Sequence, residues 1–456
     1  MTSTIKDTKG SNGVTVSAPG KVLLAGGYLV LESPNVGLVI AADKRFYCTI
    51  ELERNDNEDS SPCQSSKIVV KSPQFHSIWE FQASVRNCEG KDFITLSESQ
   101  ENVSKNEFVE KTLRVSLSYI VASGKQLPMN MTLTIQADND FYSVVPHLEG
   151  KERTPASVES LPRFLPCPQD QNGRAVVHKT GLGSSAALVT SVVGSLLQSF
   201  SIPLDQSLHN LAQICHCHAQ GKVGSGFDVS AAVFGSHVYT KFPTKTLAGL
   251  LHELQLAPSD WTLSYSTVRL LQQTVETAWE GGVVEGIELP DGVQLMLADV
   301  CGGSESPSMA RQVLAWKATR SAIEEPYWEK LATLNPKIVD LMKQQDLPGL
   351  KNAFREARAL LKKMGESAGV PIEPDEQTDL ADATALLEGV VCCVVPGAGG
   401  YDALACLYQG GDDSKERIGK LWAEWSQSGT EVCPLAVKAG TVGDGLRVED
   451  DFTGFS

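Results

Sequence analysis

Gly181-Leu182-Gly183-Ser184-Ser185-Ala186-Ala187 is a run whose residue types suit anion binding. Glycine lets a backbone approach a ligand closely. The next apolar residues, Val189, Val192, Val193, Leu196, Leu197 and Phe200, recur at helical spacing. Ser184 or Ser185 is therefore expected at or near an N-cap, where a hydroxyl accepts from unpaired backbone N–H groups. A helix N-terminus adds the positive end of a dipole, so the run reads as a phosphate cradle. A Gly-rich loop ahead of an ordinary helix is the plain alternative. The run is not a P-loop: no G-x-x-x-x-G-K-[ST] occurs, and the nearest candidate, Gly20-Lys21-Val22, lacks the first glycine and the hydroxyl.

Two further glycine segments carry ionisable groups. Lys21 follows Pro19-Gly20 at the edge of an expected strand, and Asp228 follows Gly224-Ser225-Gly226-Phe227. Alone, the first reads as a surface lysine and the second as a turn or cap carboxylate. Ser304, Ser306 and Ser308 cluster where Pro307 opens an expected helix, another end that suits anions. Cys215-His216-Cys217-His218 looks like a metal cluster, but it falls within an expected helix, where residues two apart diverge. No second Cys/His pair stands nearby, so a zinc site is not expected.

The elements that position these groups mix without βαβ regularity, which favours α+β. Strands are expected at 14–18 and 22–31 around a Pro19-Gly20 break, then at 36–42, 46–52 and 131–137. Residues 54–107 are rich in Ser, Asn, Glu and Lys and read as a solvent-facing insertion with hairpin structure near 67–70 and 76–81. Helices are expected at 109–122, 184–200, 204–220 and 352–364, the last with Gly365 as its C-cap. Residues 147–174 read as a long loop. Strands are expected again at 295–300, 390–395 and 404–408. Two domains are expected, 1–250 and 251–456.

Composition narrows the function classes. Over 456 residues, 39 Lys and Arg against 55 Asp and Glu give a net charge of −16, unfavourable for general binding to nucleic acid or anionic membranes. An anionic substrate would need a locally basic pocket. The 11 cysteines come after a polar start with no secretory segment, so they read as reduced thiols of a cytoplasmic protein. No apolar run reaches the length of a membrane span, and the last residues match no peroxisomal or prenylation signal. Oligomeric state is left open between monomer and weak dimer.

Taken together, Ala18–Tyr28, Gly181–Ala186 and the late loop Gly397-Ala398-Gly399-Gly400 resemble, in order, the three motifs of the GHMP kinase superfamily. Within it the sequence is most similar to the fungal and plant type of phosphomevalonate kinase. That resemblance rests on Ala25-Gly26-Gly27-Tyr28, Ala137–Ser143, His178–Gly181, Ala219–Val229 and Pro396–Ala403. It implies an N-terminal domain like ribosomal protein S5 and a ferredoxin-like C-terminal domain. It implies transfer of the ATP γ-phosphoryl group to (R)-5-phosphomevalonate, giving 5-diphosphomevalonate and ADP, with Mg²⁺.

By the same resemblance Lys21 and Asp228 are catalytic. Lys179 and Gly181, Leu182, Gly183, Ser184, Ser185 and Ala186 hold the ATP phosphates, and Ser185 contacts Mg²⁺. Asn139, Tyr142 and Ser143 lie at the nucleotide base. Gly27, Tyr28, Lys222, Ser225, Ser304, Ser306 and Arg311 meet the acceptor, as do Gly397, Ala398 and Gly399. Some relatives supply a metal-binding Glu from the helix before the Asp, yet residues 208–226 contain no carboxylate. A mevalonate kinase, a catalytically silent sensor on the same fold and a dinucleotide-binding enzyme are the competing readings. The last is disfavoured because no G-x-G-x-x-G follows a strand with an acidic residue about 20 positions on.

Overall fold

The computed structural model describes residues 13–53, 65–88, 91–98, 105–300, 306–401, 403–429, 431–450, 452 and 454. Its strands are β1 (Val14–Ala25), β2 (Val36–Glu53), β3 (Ser65–Ser72), β4 (Ser77–Cys88), β5 (Lys91–Glu98), β6 (Asn130–Ala137), β7 (His237–Thr240) and β8 (Val283–Gly286). The later strands are β9 (Gln294–Asp299), β10 (Val390–Val394), β11 (Ala403–Tyr408), β12 (Cys433–Leu435) and β13 (Arg447–Glu449).

Nine strands form the first sheet in the order β13-β1-β2-β6-β3-β4-β5, with β7 pairing both β2 and β8. The helices Glu107–Ala122 and Ser184–Ser199 pack over it, and Gln206–Gln220 packs on both of them. Their inward stripes follow the helical spacing of the sequence, so Val189, Val192, Val193, Leu196 and Leu197 are all buried. The second sheet is antiparallel, in the order β10-β11-β9-β12. The helices Leu347–Ala368, Asp375–Ala385 and Gly411–Gln427 pack on it, while Tyr327–Lys343 packs on Leu347–Ala368 and reaches β2. No described helix is long and apolar enough to cross a membrane.

Several elements differ from expectation for identifiable reasons. β1 runs straight through Pro19-Gly20 with a register shift between Pro19 and Lys21. A bulge tolerates the missing proline donor and re-aims the next residue; here the Lys21 N–H turns to the Leu182 carbonyl at 2.9 Å. Leu29–Leu31 is a 3-10 turn, not strand. The expected strands at 36–42 and 46–52 are one element, β2. Residues 65–98 do carry hairpins, but one face is buried: Ile68, Val70, Phe81, Ala83 and Leu96 join the core, and β3 pairs in parallel with β6. Polar composition hid a strand alternation. The helix expected to end at Gly365 continues to Ala368, with Gly369 (φ 66°) as its left-handed cap.

The far end of the chain is tied back to the first sheet. The buried Arg45 guanidinium donates to the Ser17 hydroxyl (2.6 Å) and to the carbonyls of Asp444 (3.2 Å) and Gly445 (2.5 Å). Asp140 accepts from the Ala436 N–H at 2.6 Å. Burial, opposed by Lys44, raises the Asp140 carboxyl from 3.8 to about 6. Between those values the folded protein keeps a proton that the unfolded chain has released, so stability falls as pH rises through the window. Asp140→Asn keeps an oxygen for the Ala436 N–H and removes the buried charge. We expect a gain of roughly 1–3 kcal/mol at pH 8 that shrinks toward zero at pH 4. Urea titrations at both pH values check this, and an equal gain at both would reject the assignment.

Candidate active site

The glycine loop meets its helix one residue earlier than expected. Gly183 (φ 79°) is the N-cap of Ser184–Ser199, and no side chain caps that helix. The serines are thus the first two helical residues, past the position where a hydroxyl folds back onto free N–H groups. Ser184 is instead buried, and Ser185 Oγ lies 3.1 Å from His216 Nε2. Gly183 cannot be replaced without displacement, because a Cβ there would sit 2.9 Å from Lys21 Cε. Lys21 reaches this loop from the β1 bulge. Its Nζ donates to the Gly181 carbonyl at 2.7 Å and stands 5.6 Å from the centre of the Phe227 ring.

Asp228 is set by a second glycine. Gly226 (φ 84°) caps the helix Phe227–Phe234, packed so closely that a Cβ would come within 2.7 Å of Tyr239 Oη. The Asp228 side chain, 18% exposed, lies in the first turn with Oδ2 3.8 Å from His216 Nε2. His216 therefore stands between Ser185 and Asp228. Burial holds its pKa below the ordinary value, against the pull of Asp228 and with a further push from Lys179. The Cys-His-Cys-His run divides as helix geometry requires: Cys215 Sγ lies 3.6 Å from Ser116 Oγ, and the His218 ring packs 5.5 Å from Trp261. His216 was visible in the sequence, but only as a failed metal ligand. The signal that finds it is its place on the helix leading into the Asp228 turn.

These groups border a cleft of about 800 Å³. Lys21, the 179–185 loop, Asp228, Arg311 and the 397–399 turn all line it. Lys179, Lys222, Ser225 and Tyr28 also reach it. The turn is clamped to β1: the Gly397 N–H donates to the Leu23 carbonyl at 3.0 Å, and the Tyr28 hydroxyl donates to the Ala398 carbonyl. Gly27 backs onto this turn from a smaller neighbouring cavity. Ala186 is buried beneath the loop.

Asn139, Tyr142 and Ser143 gather in a separate cavity of about 90 Å³ that shares His178 with the cleft. Ser304 lies outside the described residues, and Ser306 is described only by its backbone, as the first residue of the helix Ser306–Thr319. Two cleft groups were missed. Lys241, just after β7, is 7% exposed and donates to the Leu31 carbonyl at 3.2 Å; burial lowers its pKa. Asp299, at the end of β9, is also buried against the cleft. Each is a lone charged residue closing an apolar strand, with nothing in its neighbours to mark a site.

The profile of the GHMP kinases N-terminal domain matches residues 173–236, the stretch that carries both the glycine loop and Asp228. A phosphomevalonate kinase of Gibberella zeae is 36% identical over 452 residues, covering 96% of each chain. The chain belongs to the phosphomevalonate kinase family. A peroxisomal phosphomevalonate kinase of Arabidopsis thaliana is 31% identical, covering 90% of this chain and 92% of its own. Among solved structures, a Streptococcus pneumoniae phosphomevalonate kinase in complex with phosphomevalonate and AMPPNP superposes with a TM-score of 0.61. It is 16% identical and covers 93% of this chain and 99% of its own. The fold is the α+β GHMP kinase fold.

Proposed function

We propose that the cleft transfers the γ-phosphoryl group of ATP to the phosphate of (R)-5-phosphomevalonate, yielding 5-diphosphomevalonate and ADP. The observation that carries this reading is the meeting of Lys21, Asp228 and the glycine loop in one cleft that Lys222, Lys241 and Arg311 also line. Two phosphates must approach there, and at about 4 Å each pair of unit charges repels by about 4 kcal/mol at an effective dielectric near 20. A protein of net charge −16 that gathers cations at one cleft is equipped for that problem.

In this reading Lys179 and residues 181–186 hold the ATP phosphates at a helix N-terminus, and Asn139, Tyr142 and Ser143 lie toward the base. Lys222, Lys241, Ser225 and Arg311, with Ser304 and Ser306, take the acceptor. Gly27, Tyr28 and the 397–399 turn close over it. The halves 1–250 and 251–456 thus each supply part of the site. Lys21 neutralises the transferring group. Mg²⁺ suits the hard oxygen of Ser185 beside a phosphate-binding helix end, with phosphate oxygens and water completing its shell. When bound, it supplies charge neutralisation. The cytoplasm is the proposed compartment, tested by fractionation.

ADP release with Mg-ATP, comparing phosphomevalonate with mevalonate, tests the proposal. Turnover with mevalonate alone would make Asp228 a conventional base for a hydroxyl acceptor. Binding without turnover of either would favour a sensor. The acceptor's second pKa is about 6, so it is largely deprotonated above neutrality. Asp228→Asn is therefore expected to lose less activity at pH 8 than at pH 6, relative to wild type. An equal loss across the pH range would leave Asp228 a positioning role only.

A further inference from the structure

His216 sits where two motifs of the site meet. Its Nε2 lies 3.1 Å from Ser185 Oγ, 3.3 Å from Gln220 Nε2 and 3.8 Å from Asp228 Oδ2. The residue is 2% exposed, and its ring is backed by Phe108 at 5.8 Å. With the Gln220 amide nitrogen facing it, Nε2 is assigned as the accepting nitrogen and the ring proton to Nδ1. At 3.1 Å against 3.3 Å, the Ser185 hydroxyl is the nearer of the two donors to that lone pair, and its single hydrogen is assigned to His216.

We infer that His216 is a positioning residue that fixes the Ser185 hydroxyl as a lone-pair donor toward the cleft. A serine at this position has two possible uses. It can donate its hydrogen to an ATP phosphate, or it can offer lone pairs to the cation that accompanies the nucleotide. With the hydrogen committed to His216, only the second remains. The helix Gln206–Gln220 carries no carboxylate to reach a metal itself. It acts instead through an imidazole that orients an oxygen on the neighbouring helix, as second ligand shells do. At 3.8 Å, beyond hydrogen-bond distance of that nitrogen, Asp228 keeps its carboxylate for the acceptor.

This inference rests on the ATP-dependent reading above, but its test does not need turnover. Calorimetry measures ATP binding with Mg²⁺ and again with EDTA for wild type, His216→Leu, His216→Gln, Ser185→Ala and the Ser185→Ala/His216→Leu double variant. His216→Leu is expected to weaken Mg-ATP binding by about tenfold and leave metal-free ATP binding unchanged. His216→Gln, whose amide oxygen accepts at a similar reach, restores most of the loss and covers the case in which the leucine variant fails to fold. The double variant binds no worse than Ser185→Ala alone, because both changes remove one interaction. Equal weakening with and without metal, failure of glutamine to rescue, or additive losses would each overturn the inference. If wild type binds Mg-ATP but turns over no phosphomevalonate, the proposed acceptor fails while the His216 result still stands or falls by these comparisons.

Discussion

Lys21→Met is expected to lower kcat for phosphomevalonate by about 10²–10³-fold, the range seen when one preorganised donor to a developing charge is lost. The fold should survive it. The Lys21 backbone is held by the β1 bulge through the Leu182 carbonyl, and its stem fills the space that Gly183 leaves open. Methionine keeps most of that stem and removes only the ammonium group. A melting temperature within roughly 3 °C of wild type is therefore expected, as for a surface-like change of under about 1 kcal/mol in a chain of this size. Steady-state kinetics beside a melting curve decide it. Turnover within tenfold of wild type would remove Lys21 from the chemistry, and a large drop in melting temperature would make its role structural.

The largest stability effect is expected at a buried ion pair that lines the small cavity beside Gly27. Arg358 and Glu373 are both nearly buried and form a two-point pair, Nη2 to Oε1 at 2.6 Å and Nε to Oε2 at 3.2 Å. Asp382 accepts a third bond at 2.7 Å from an exposed position. Burial lowers the guanidinium pKa, and the two carboxylates more than reverse that, leaving it above the ordinary arginine value. Arg358→Met strands the Glu373 carboxylate without its partner, which costs about 3–5 kcal/mol in such pairs. Adding Glu373→Leu should recover most of the loss, since replacing both partners with apolar groups removes the unpaired charge. Denaturant titration of the three variants measures this. A single-variant loss under about 1 kcal/mol would show that water relieves Glu373. The neighbouring Ile372 carbonyl accepts from the Gly400 N–H at 2.9 Å, so the same substitution should loosen the 397–400 turn and raise the acceptor KM.

Long periodic helices were legible residue by residue: 184–200 and 204–220 match their elements to within two positions, because the apolar stripe of the first faces the sheet and that of the second faces neighbouring helices. The three glycine segments were legible as a set, since loops that approach a ligand closely need the same residue wherever they occur. Contacts across the chain were not. Nothing local to Pro19-Gly20 says that Leu182 will accept from the next N–H and let the strand continue. Ser184 and Ser185 looked like caps because the left-handed turn at Gly183, which takes the cap position, is invisible in composition. His216 and Lys241 acquire meaning only from neighbours 31 and 210 residues away, Ser185 and Leu31. Residues 65–98 were misread as solvent-facing because serines and charges on one face masked the apolar alternation on the other.

The pairing of β1 with β13 joins Thr15 to Glu449, and Arg45 waits for the carbonyls of Asp444 and Gly445. On a ribosome adding about 5–20 residues per second, β1 emerges roughly 20–90 s before the strand that will cover its edge. Throughout that interval an apolar strand with open N–H and C=O groups is available to any other nascent chain. The yield of active enzyme is thus expected to fall when translation slows through the second half of the message, unless chaperones shield β1 until its last neighbour arrives.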